Sequence, residues 1–147
     1  MQNHGYQSYF DNEVLAASPL KLIQMLYAAA LDSIAAARRD LRLGDIRARS
    51  RAICKAMRIV TELSRCLNRE AGGDLSLNLA GLYGYVIGLL IEANGEQIEP
   101  PLVEAEGLLS TLAEAWNACI PAVPADYPDG DLLLQDLSVS DSSLAAP

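Results

Sequence analysis

The stretch from Leu75 to Ile91 constrains the fold more than any other part of the sequence. It contains no charged residue, and Asp74 and Glu92 bound it on either side. At about 100° per residue, one face of the predicted helix is an ordinary apolar core seam. That seam consists of Leu79, Leu82, Val86, Leu89, Leu90 and Ala93.

The opposite face of the same helix is apolar or glycine as well. It carries Leu77, Ala80, Gly81, Gly84, Ile87, Gly88 and Ile91. A helix at a protein surface normally keeps a single apolar stripe, so we expect something to cover this second face. Each glycine also lowers helix propensity by about 0.8–1 kcal/mol relative to alanine. The flat surface is therefore a close contact with a neighbouring helix, a groove for a partner segment, or a point of local unwinding.

A membrane-spanning helix is the competing interpretation of this stretch. A span needs about 20 mainly apolar residues, whereas this run is shorter and includes Ser76, Asn78 and three glycines. We therefore expect no membrane insertion.

Start and stop residues divide the rest of the chain into helices. Ser18 and Pro19 are typical of a helix start, and Gly44 followed by Asp45 indicates the end of one helix and the cap of the next. Gly72–Gly73 is expected to end the second helix, with Asp74 or Ser76 capping the third.

The third helix is predicted to close at Asn94–Gly95, and a fourth to run from Pro100–Pro101 until Pro121 stops it. Apolar residues repeat every three or four positions in the other helices. The first helix has Leu20, Ile23, Tyr27, Ala30, Ile34, Ala37 and Leu41. The second has Ile46, Ile53, Ala56, Val60, Leu63 and Leu67, and the fourth has Leu102, Ala105, Leu109, Leu112, Trp116 and Cys119.

Short links between these helices force neighbours to run antiparallel. The sequence therefore predicts an all-α fold, an antiparallel up-down four-helix bundle over residues 18–120. Residues 1–17 hold several large apolar side chains and are predicted to form a short N-terminal segment packed on the bundle. Residues 121–147 contain four prolines, five aspartates and no basic residue, which predicts a disordered acidic tail. The alternative is that its leucines, at 132–134 and 137, dock on an apolar groove.

Charge is distributed unevenly along the chain. Residues 31–70 hold ten basic and five acidic residues, whereas residues 71–147 hold twelve acidic residues and no Lys or Arg. We expect the basic second helix and its acidic neighbours to neutralise each other. A nucleic-acid-binding face is disfavoured because the whole chain, at a net charge of −8, would repel phosphate.

The sequence offers little for catalysis or metal binding. Its one histidine, His4, has no cysteine nearby, and the helical acids lack the paired Glu-x-x-His of a di-iron bundle. Cys54, Cys66 and Cys119 have no metal-like spacing and are predicted to be buried thiols in a reducing compartment. The start of the chain has no secretory signal. These observations predict a cytosolic helical binding module without catalytic residues, metal or cofactor.

Several motifs resemble those of the flagellin export chaperones, the FliS family. NLAGLYGY at 78–85 followed by EAN at 92–94 is similar to the family's NL..LY.Y…AN signature. ASP at 17–19, LI at 22–23 and MLY at 25–27 are similar to its ASP..LI.ML(Y/F) start. REAGGD at 69–74, VEAEGLL at 103–109 and AW at 115–116 follow in matching order. The resemblance covers about residues 6–118 and excludes the tail.

The resemblance implies an antiparallel helical bundle that binds the disordered C-terminal segment of flagellin in the bacterial cytosol. Such a chaperone prevents premature polymerisation and delivers flagellin to the flagellar type III export gate. The family's N-terminal segment can lie over part of the client surface. The matching positions here are Tyr6, Tyr9, Ser18, Pro19, Leu22, Tyr83 and Tyr85. From the residues themselves, we also predict that the second face of the third helix binds the partner, with tyrosines at its rim.

The sequence departs from the family pattern on this face. Many relatives have an acidic residue between the two tyrosines and two arginines beyond the second, where this chain has Gly84, Gly88 and Leu89. The usual Asp-Gly of the first helix is Ala28–Ala29. The groove is therefore expected to be flatter and more apolar, which leaves room for a modified client or a co-chaperone. The alternative function is a generic helical adaptor or regulator that binds an acidic protein through the basic second helix.

Overall fold

Four α-helices make up the part of the chain that the structure describes. The computed structural model describes residues 19–119. The predicted N-terminal segment, Ser18, Ile120 and the predicted tail lie outside these residues. The helices are α1 (Pro19–Leu43), α2 (Ile46–Arg65), α3 (Arg69–Glu96) and α4 (Pro100–Cys119).

The four helices form an antiparallel bundle, as predicted. α1 packs against α2 and α4, and α3 packs against the same two helices. Gln24, near the start of α1, donates a hydrogen bond of 2.8 Å to Asn117, near the end of α4. Ser50, near the start of α2, donates one of 3.0 Å to Asn94, near the end of α3. These pairs join opposite ends of neighbouring helices, so the neighbours run in opposite directions.

Most predicted core positions are buried in a single cluster between the helices. The buried apolar residues that were predicted are Tyr27, Ala30, Ile34, Ala37, Ile53, Ala56, Val60, Leu63, Val86, Leu89, Leu90, Ala93, Leu102, Ala105 and Leu109. Ile46 was wrongly placed in the core and is 56% exposed. It is the first residue of α2, so it lies at the end of the bundle, where few neighbours surround it.

The first and last helix boundaries follow the predicted signals. Pro19 is the first residue described in α1, and Gly44 has a φ of +72°, the left-handed conformation that ends a helix. The Asp45 side chain accepts a hydrogen bond of 3.0 Å from the Ala48 backbone N–H and so caps α2. Pro100 opens α4, where its missing N–H costs no hydrogen bond.

The predicted boundary between the second and third helices is wrong by several residues. α2 ends at Arg65, and Asn68 caps α3 by accepting a hydrogen bond of 3.1 Å from the Ala71 backbone N–H. The break at Gly73 is present but lies inside α3, where φ is +51° and ψ is −128°. Only glycine adopts this conformation readily, so the helix kinks there and resumes.

The end of α3 also differs from the prediction. The helix continues past Asn94–Gly95 to Glu96, and Gln97 takes the left-handed conformation. The buried Arg49 guanidinium accounts for this extension, because it donates hydrogen bonds to the Asn94 carbonyl and to the Gln97 side chain. A positive charge at this position is also favourable to the C-terminal end of a helix.

The three cysteines are exposed, so the prediction of buried thiols is wrong. Cys54 lies on the side of α2 that faces away from the core, Cys66 follows the last turn of α2, and Cys119 is the last residue of α4. Their sequence neighbours are apolar enough to suggest burial, but their positions on the helices turn them outward.

Charge neutralisation involves α1, not the basic helix α2. Arg38 of α1 pairs with Glu99 at 3.0 Å and with Glu106 at 2.9 Å, and Arg42 also pairs with Glu99. Within residues 19–119, no acidic side chain lies within 4.0 Å of four basic residues of α2, namely Arg47, Arg51, Lys55 and Arg58. The expected neutralisation of α2 therefore does not occur in the described structure. The register of packing brings the acidic residues of α4 to α1 instead.

Two helices, α1 and α3, are long and apolar enough to cross a membrane by length and composition alone. A core helix of a water-soluble protein meets the same criterion. Each contributes buried side chains to the shared core of the bundle, which accounts for much of its apolar character.

Candidate functional site: the outer face of α3

An apolar surface runs along the side of α3 that faces away from the core. Its centre is a stripe of exposed residues at spacings of three and four, which we call the α3 outer face; these are Leu77, Gly81, Gly84, Gly88 and Ile91. Eight large hydrophobic residues are exposed among those described, and five of them lie on α3: Leu75, Leu77, Leu82, Tyr85 and Ile91. Exposed apolar groups of a stable monomer are usually scattered, so their concentration on one helix indicates an interaction surface.

The glycines of this face border open space. A Cβ atom added at Gly81, Gly84 or Gly88 would meet no other heavy atom within 4 Å. The alternative of a close contact with another helix of the same bundle is therefore wrong for the described structure. The prediction of a second apolar side on α3 is confirmed, and the helix stays regular through Gly84 and Gly88, so local unwinding at these glycines is also wrong.

The two edges of the α3 outer face differ in chemistry. Ala80 and Ile87 are half-buried along one edge, and Asn94, farther along that edge, is held by Ser50 of α2. On the other edge, beside α4, the Tyr85 ring is 50% exposed and its hydroxyl donates a hydrogen bond to Glu104. That hydrogen bond raises the pKa of Tyr85 above its ordinary value, since ionisation would place two negative charges in contact.

Tyr83 was predicted at the rim of this surface, and the structure contradicts that placement. Its side chain is 3% exposed, and its hydroxyl oxygen shares a hydrogen bond of 2.6 Å with the hydroxyl of Tyr27 on α1. Burial raises the pKa of Tyr83, and the hydrogen bond to Tyr27 raises it further. Tyr83 is two residues before Tyr85 and therefore points about 200° away from it around the helix. Only Tyr85 reaches the surface.

Burial of Tyr83 also explains why the prediction of Leu82 as a core residue was wrong. A helix that turns Tyr83 toward α1 rotates Leu82 to the margin of the core, where it is 37% exposed. Leu75 and Val103 are further exposed apolar residues that were not predicted as site residues. No sequence signal marks them, because leucine and valine in an amphipathic helix are normally read as core.

Two further predicted site residues, Pro19 and Leu22, do not join the α3 outer face. Pro19 is exposed and Leu22 is half-buried at the start of α1, a helix that packs on α2 and α4. They lie at the end of the bundle where α3 begins. Tyr6, Tyr9 and Ser18 lie outside the described residues.

The arrangement suits binding better than catalysis. Residues 19–119 contain no group of three His, Cys, Asp or Glu residues that could hold a metal ion. The site consists of a shallow apolar helix face with a tyrosine and carboxylates, Glu92 and Glu104, near one edge. Such a surface can accept the apolar side of an amphipathic helix from a partner.

Comparisons with known proteins agree with the motif resemblance. The family model described as flagellar protein FliS matches residues 1–123. The flagellar secretion chaperone FliS of Salmonella typhimurium is 39% identical over 112 residues, which cover 76% of this chain and 83% of the relative. Its counterpart in Campylobacter jejuni is 38% identical over 118 residues, or 80% of this chain and 92% of that protein. The one in Bacillus subtilis is 31% identical over 121 residues, covering 82% and 90%.

The family match spans the described bundle and all the predicted site residues, including those before Pro19. The bundle architecture and the apolar α3 outer face lie within the matched residues. The chain therefore belongs to the FliS family of flagellar proteins.

Proposed function

We propose that this protein is a cytosolic export chaperone that binds the C-terminal segment of flagellin on the α3 outer face. Membership of a family of flagellar secretion chaperones supports the chaperone role. One observation carries the choice of surface: an apolar helix face with Gly84 and Gly88 open to solvent. Bound there, flagellin would be kept from polymerising until it reaches the flagellar export gate. A component of that gate is the second partner that we propose.

The physics of such a client favours a long, shallow and apolar surface. Ordering a disordered segment costs about 2–5 kcal/mol or more of the gross interaction. The client therefore has to bury a large apolar area to be held at all. Glycines at the centre of the face let its backbone approach α3 closely. The shallow shape of the face is also compatible with release at the export gate.

The edges of the face would orient the client. Tyr85 offers a ring for apolar contact while its hydroxyl stays bonded to Glu104. Ala80 and Ile87 extend the apolar area on the other side. We propose Pro19, Leu22 and Ser18 as further contacts at the end of the bundle, with Tyr6 and Tyr9 acting as a cap that contacts or blocks the client. We leave Tyr83 out of the binding surface because it is buried.

Titration of the protein with a synthetic peptide of the C-terminal segment of its cognate flagellin tests the proposal. We expect one-to-one binding, a negative heat-capacity change from apolar burial and a gain of helicity in the peptide. Calorimetry measures the first two and circular dichroism the third. A peptide of the same composition in scrambled order is the control. Absence of binding at tens of micromolar, with the protein folded, would contradict the proposal.

Purification of the tagged protein from flagellated cells separates this function from the alternative adaptor. Flagellin should be the dominant partner, and a variant whose α3 outer face is altered by substitution should no longer recover flagellin. An adaptor that binds an acidic protein through α2 would instead retain its partner in such a variant. A co-chaperone on the same face would be recovered together with flagellin. We propose a binding role without catalysis in either case.

A further inference from the structure

The outward side of α2 is a basic surface on which four of the five basic residues have no acidic partner in the described bundle. Its basic residues are all exposed and fall on one side of the helix at 100° per residue; they are Arg47, Arg51, Lys55, Arg58 and Arg65, which we call the α2 basic face. Only Arg65 is paired, with Glu62 of the same helix at 3.0 Å. Like charges three or four residues apart on a helix repel each other, so an acidic group on this face would be stabilising.

We propose that the acidic C-terminal stretch of this chain, residues 126–141, docks on the α2 basic face. This stretch lies outside the described residues. It contains all five aspartates that follow α4, and no Lys or Arg occurs after Arg69. The complementarity is therefore between five negative charges and a helix face that carries five basic residues and one acidic residue, Glu62.

The connection between α4 and this stretch is long enough. Trp116, near the end of α4, donates a hydrogen bond to the Leu20 carbonyl at the start of α1, so α4 ends where α1 begins. α2 runs antiparallel to α1 and therefore ends there too, at Arg65. The seven residue steps from Cys119 to Asp126 span up to about 24 Å. The diagonal between opposite helices of a bundle is only about 14 Å.

The length of the acidic stretch also matches the length of the basic face. Arg47 and Arg65 are eighteen residues apart on α2, which corresponds to about 27 Å. The fifteen residue steps from Asp126 to Asp141 cover that distance without being fully extended. The aspartates can thus lie alongside the basic residues over the whole face.

Apolar contacts favour docking of the acidic stretch on α2, whereas charge repulsion disfavours its docking on the α3 outer face. Met57 and Cys54 line a surface groove on α2 together with Arg51 and Arg58. The leucines at 132–134 lie between Asp131 and Asp136, so a segment with its charges on the arginines can place leucine on this groove. The α3 outer face, in contrast, has the carboxylates of Glu92 and Glu104 near its edge, which repel an acidic segment.

Carbodiimide cross-linking of the full chain tests the proposal, because this reagent joins a lysine amine only to a carboxylate in contact with it. The chain has two lysines, Lys55 on the α2 basic face and Lys21 in the first turn of α1. Lys21 lies at the end of the bundle where the tail begins and is the internal control. We expect mass spectrometry to find more cross-links from residues 126–141 to Lys55 than to Lys21. We also expect them to be lost in about 1 M salt, where the Debye length is about 3 Å.

A charge-reversed variant makes the test specific. Arg47→Glu combined with Arg65→Glu reverses two charges of the face without placing a new carboxylate one turn from Lys55. It should lower the yield of cross-links from the tail to Lys55 by about fivefold, given up to about 1 kcal/mol for such exposed contacts. Both positions are exposed, and circular dichroism checks that the variant is folded. The matched control is Arg39→Glu, an exposed residue of α1, which should leave the yield unchanged.

The proposal is overturned if tail cross-links to Lys55 do not exceed those to Lys21, or if they survive the charge reversal. It is also overturned if mixing with isotope-labelled protein shows that the cross-links join two copies of the chain. The test does not involve flagellin, so its failure and the failure of the proposed function are distinguishable.

Discussion

At the scale of single residues, the hydroxyl groups of Tyr27 and Tyr83 are buried in the apolar core as a hydrogen-bonded pair. Tyr27 and Tyr83 are 4% and 3% exposed, and each satisfies the hydroxyl of the other. Burial raises the pKa of both phenols, since a phenolate in the core would lose its hydration. The pair is a single polar unit, and each member depends on its partner.

Removing one hydroxyl of this pair should therefore cost more than removing both. We expect Tyr27→Phe or Tyr83→Phe to lower the free energy of unfolding by about 1–3 kcal/mol, because the remaining hydroxyl is buried without a partner. The double variant should recover most of that loss. Urea denaturation of the four proteins measures the coupling. If the two single effects simply added in the double variant, the hydroxyls would not act as a unit.

Glu99 is the residue through which acid should weaken the contact between α1 and α4. The hydrogen bond from Arg42 lowers its pKa below the ordinary 4.5, and that from Arg38 lowers it further. A carboxyl with a lowered pKa in the folded state stabilises the protein above its unfolded pKa and loses this effect as the pH falls through the folded value. The stabilisation should therefore be present above about pH 4.5 and be lost progressively as the pH falls below that value.

A comparison with Glu99→Gln measures this dependence. The difference in free energy of unfolding between the wild type and this variant should shrink as the pH is lowered from about 6 to about 3. Glu114→Gln is the control, since Glu114 is an exposed acid on the same helix and has no arginine within 4.0 Å among the described residues. A constant difference across this range would mean that the arginines do not stabilise the Glu99 carboxylate.

At the scale of the helix, α3 combines a weak helix sequence with an exposed apolar surface. Its glycines lower its intrinsic stability, and nothing in the described bundle uses the space beside Gly81, Gly84 and Gly88. The core side of α3 holds the helix in place through Val86, Leu90 and Ala93, all fully buried. The helix is thus stabilised from one side, and its other side is left available for a partner.

Substitution of the central glycines should separate stability from binding. Gly84→Ala and Gly88→Ala should each raise the free energy of unfolding by up to about 1 kcal/mol through helix propensity. Gly84→Leu and Gly88→Leu should raise it less but should weaken flagellin peptide binding about tenfold or more, because the added side chains fill the close-approach surface. Denaturation and calorimetry measure the two effects.

Gly107→Leu on α4 is the matched control for this experiment. Gly107 is also exposed and open, with no heavy atom within 4 Å of an added Cβ, but it lies on another helix. It should keep full peptide affinity. Intact binding in the Gly84 and Gly88 leucine variants would contradict the assignment of the client surface to α3.

At the scale of the whole molecule, the folded unit is the bundle, and its core closes within the described helices. The buried apolar residues extend from Tyr27 to Leu109, with Leu112 and Trp116 packed against them. Helices that are consecutive in the chain are linked by short connections, so few residues between them are needed to close the core.

Removal of residues 123–147 should therefore leave the helical bundle intact. At about 0.5 M salt, where electrostatic docking of the tail is screened, we expect unchanged helicity per molecule and a thermal midpoint within about 2 °C of the full chain. A shift of 1 kcal/mol would move the midpoint by about 4–8 °C in a domain of this size. Circular dichroism during heating measures both. A fall of several degrees at this salt concentration would mean that the leucines of the tail pack on the bundle.

The sequence by itself determined the number of helices, the antiparallel bundle and most of the core. These follow from local chemistry: Pro19, Gly44 and Pro100 mark helix ends through their own backbone properties, and apolar periodicity shows which residues share a face. It also indicated that α3 has two apolar sides. The motifs from residue 17 to residue 116 were dense enough to identify the family.

Only the tertiary structure decided which way individual side chains turn and which charges meet. Tyr83 and Leu82 are neighbours in an apolar helix, and periodicity allows either to be buried; the hydroxyl of Tyr27 selects Tyr83. Likewise, composition indicated that basic and acidic helices would pair, but packing register brings Glu99 to Arg38 and Arg42 of α1 and brings no acidic residue of another described helix to the basic face of α2. Both outcomes depend on contacts between residues more than fifty positions apart, which no local pattern specifies.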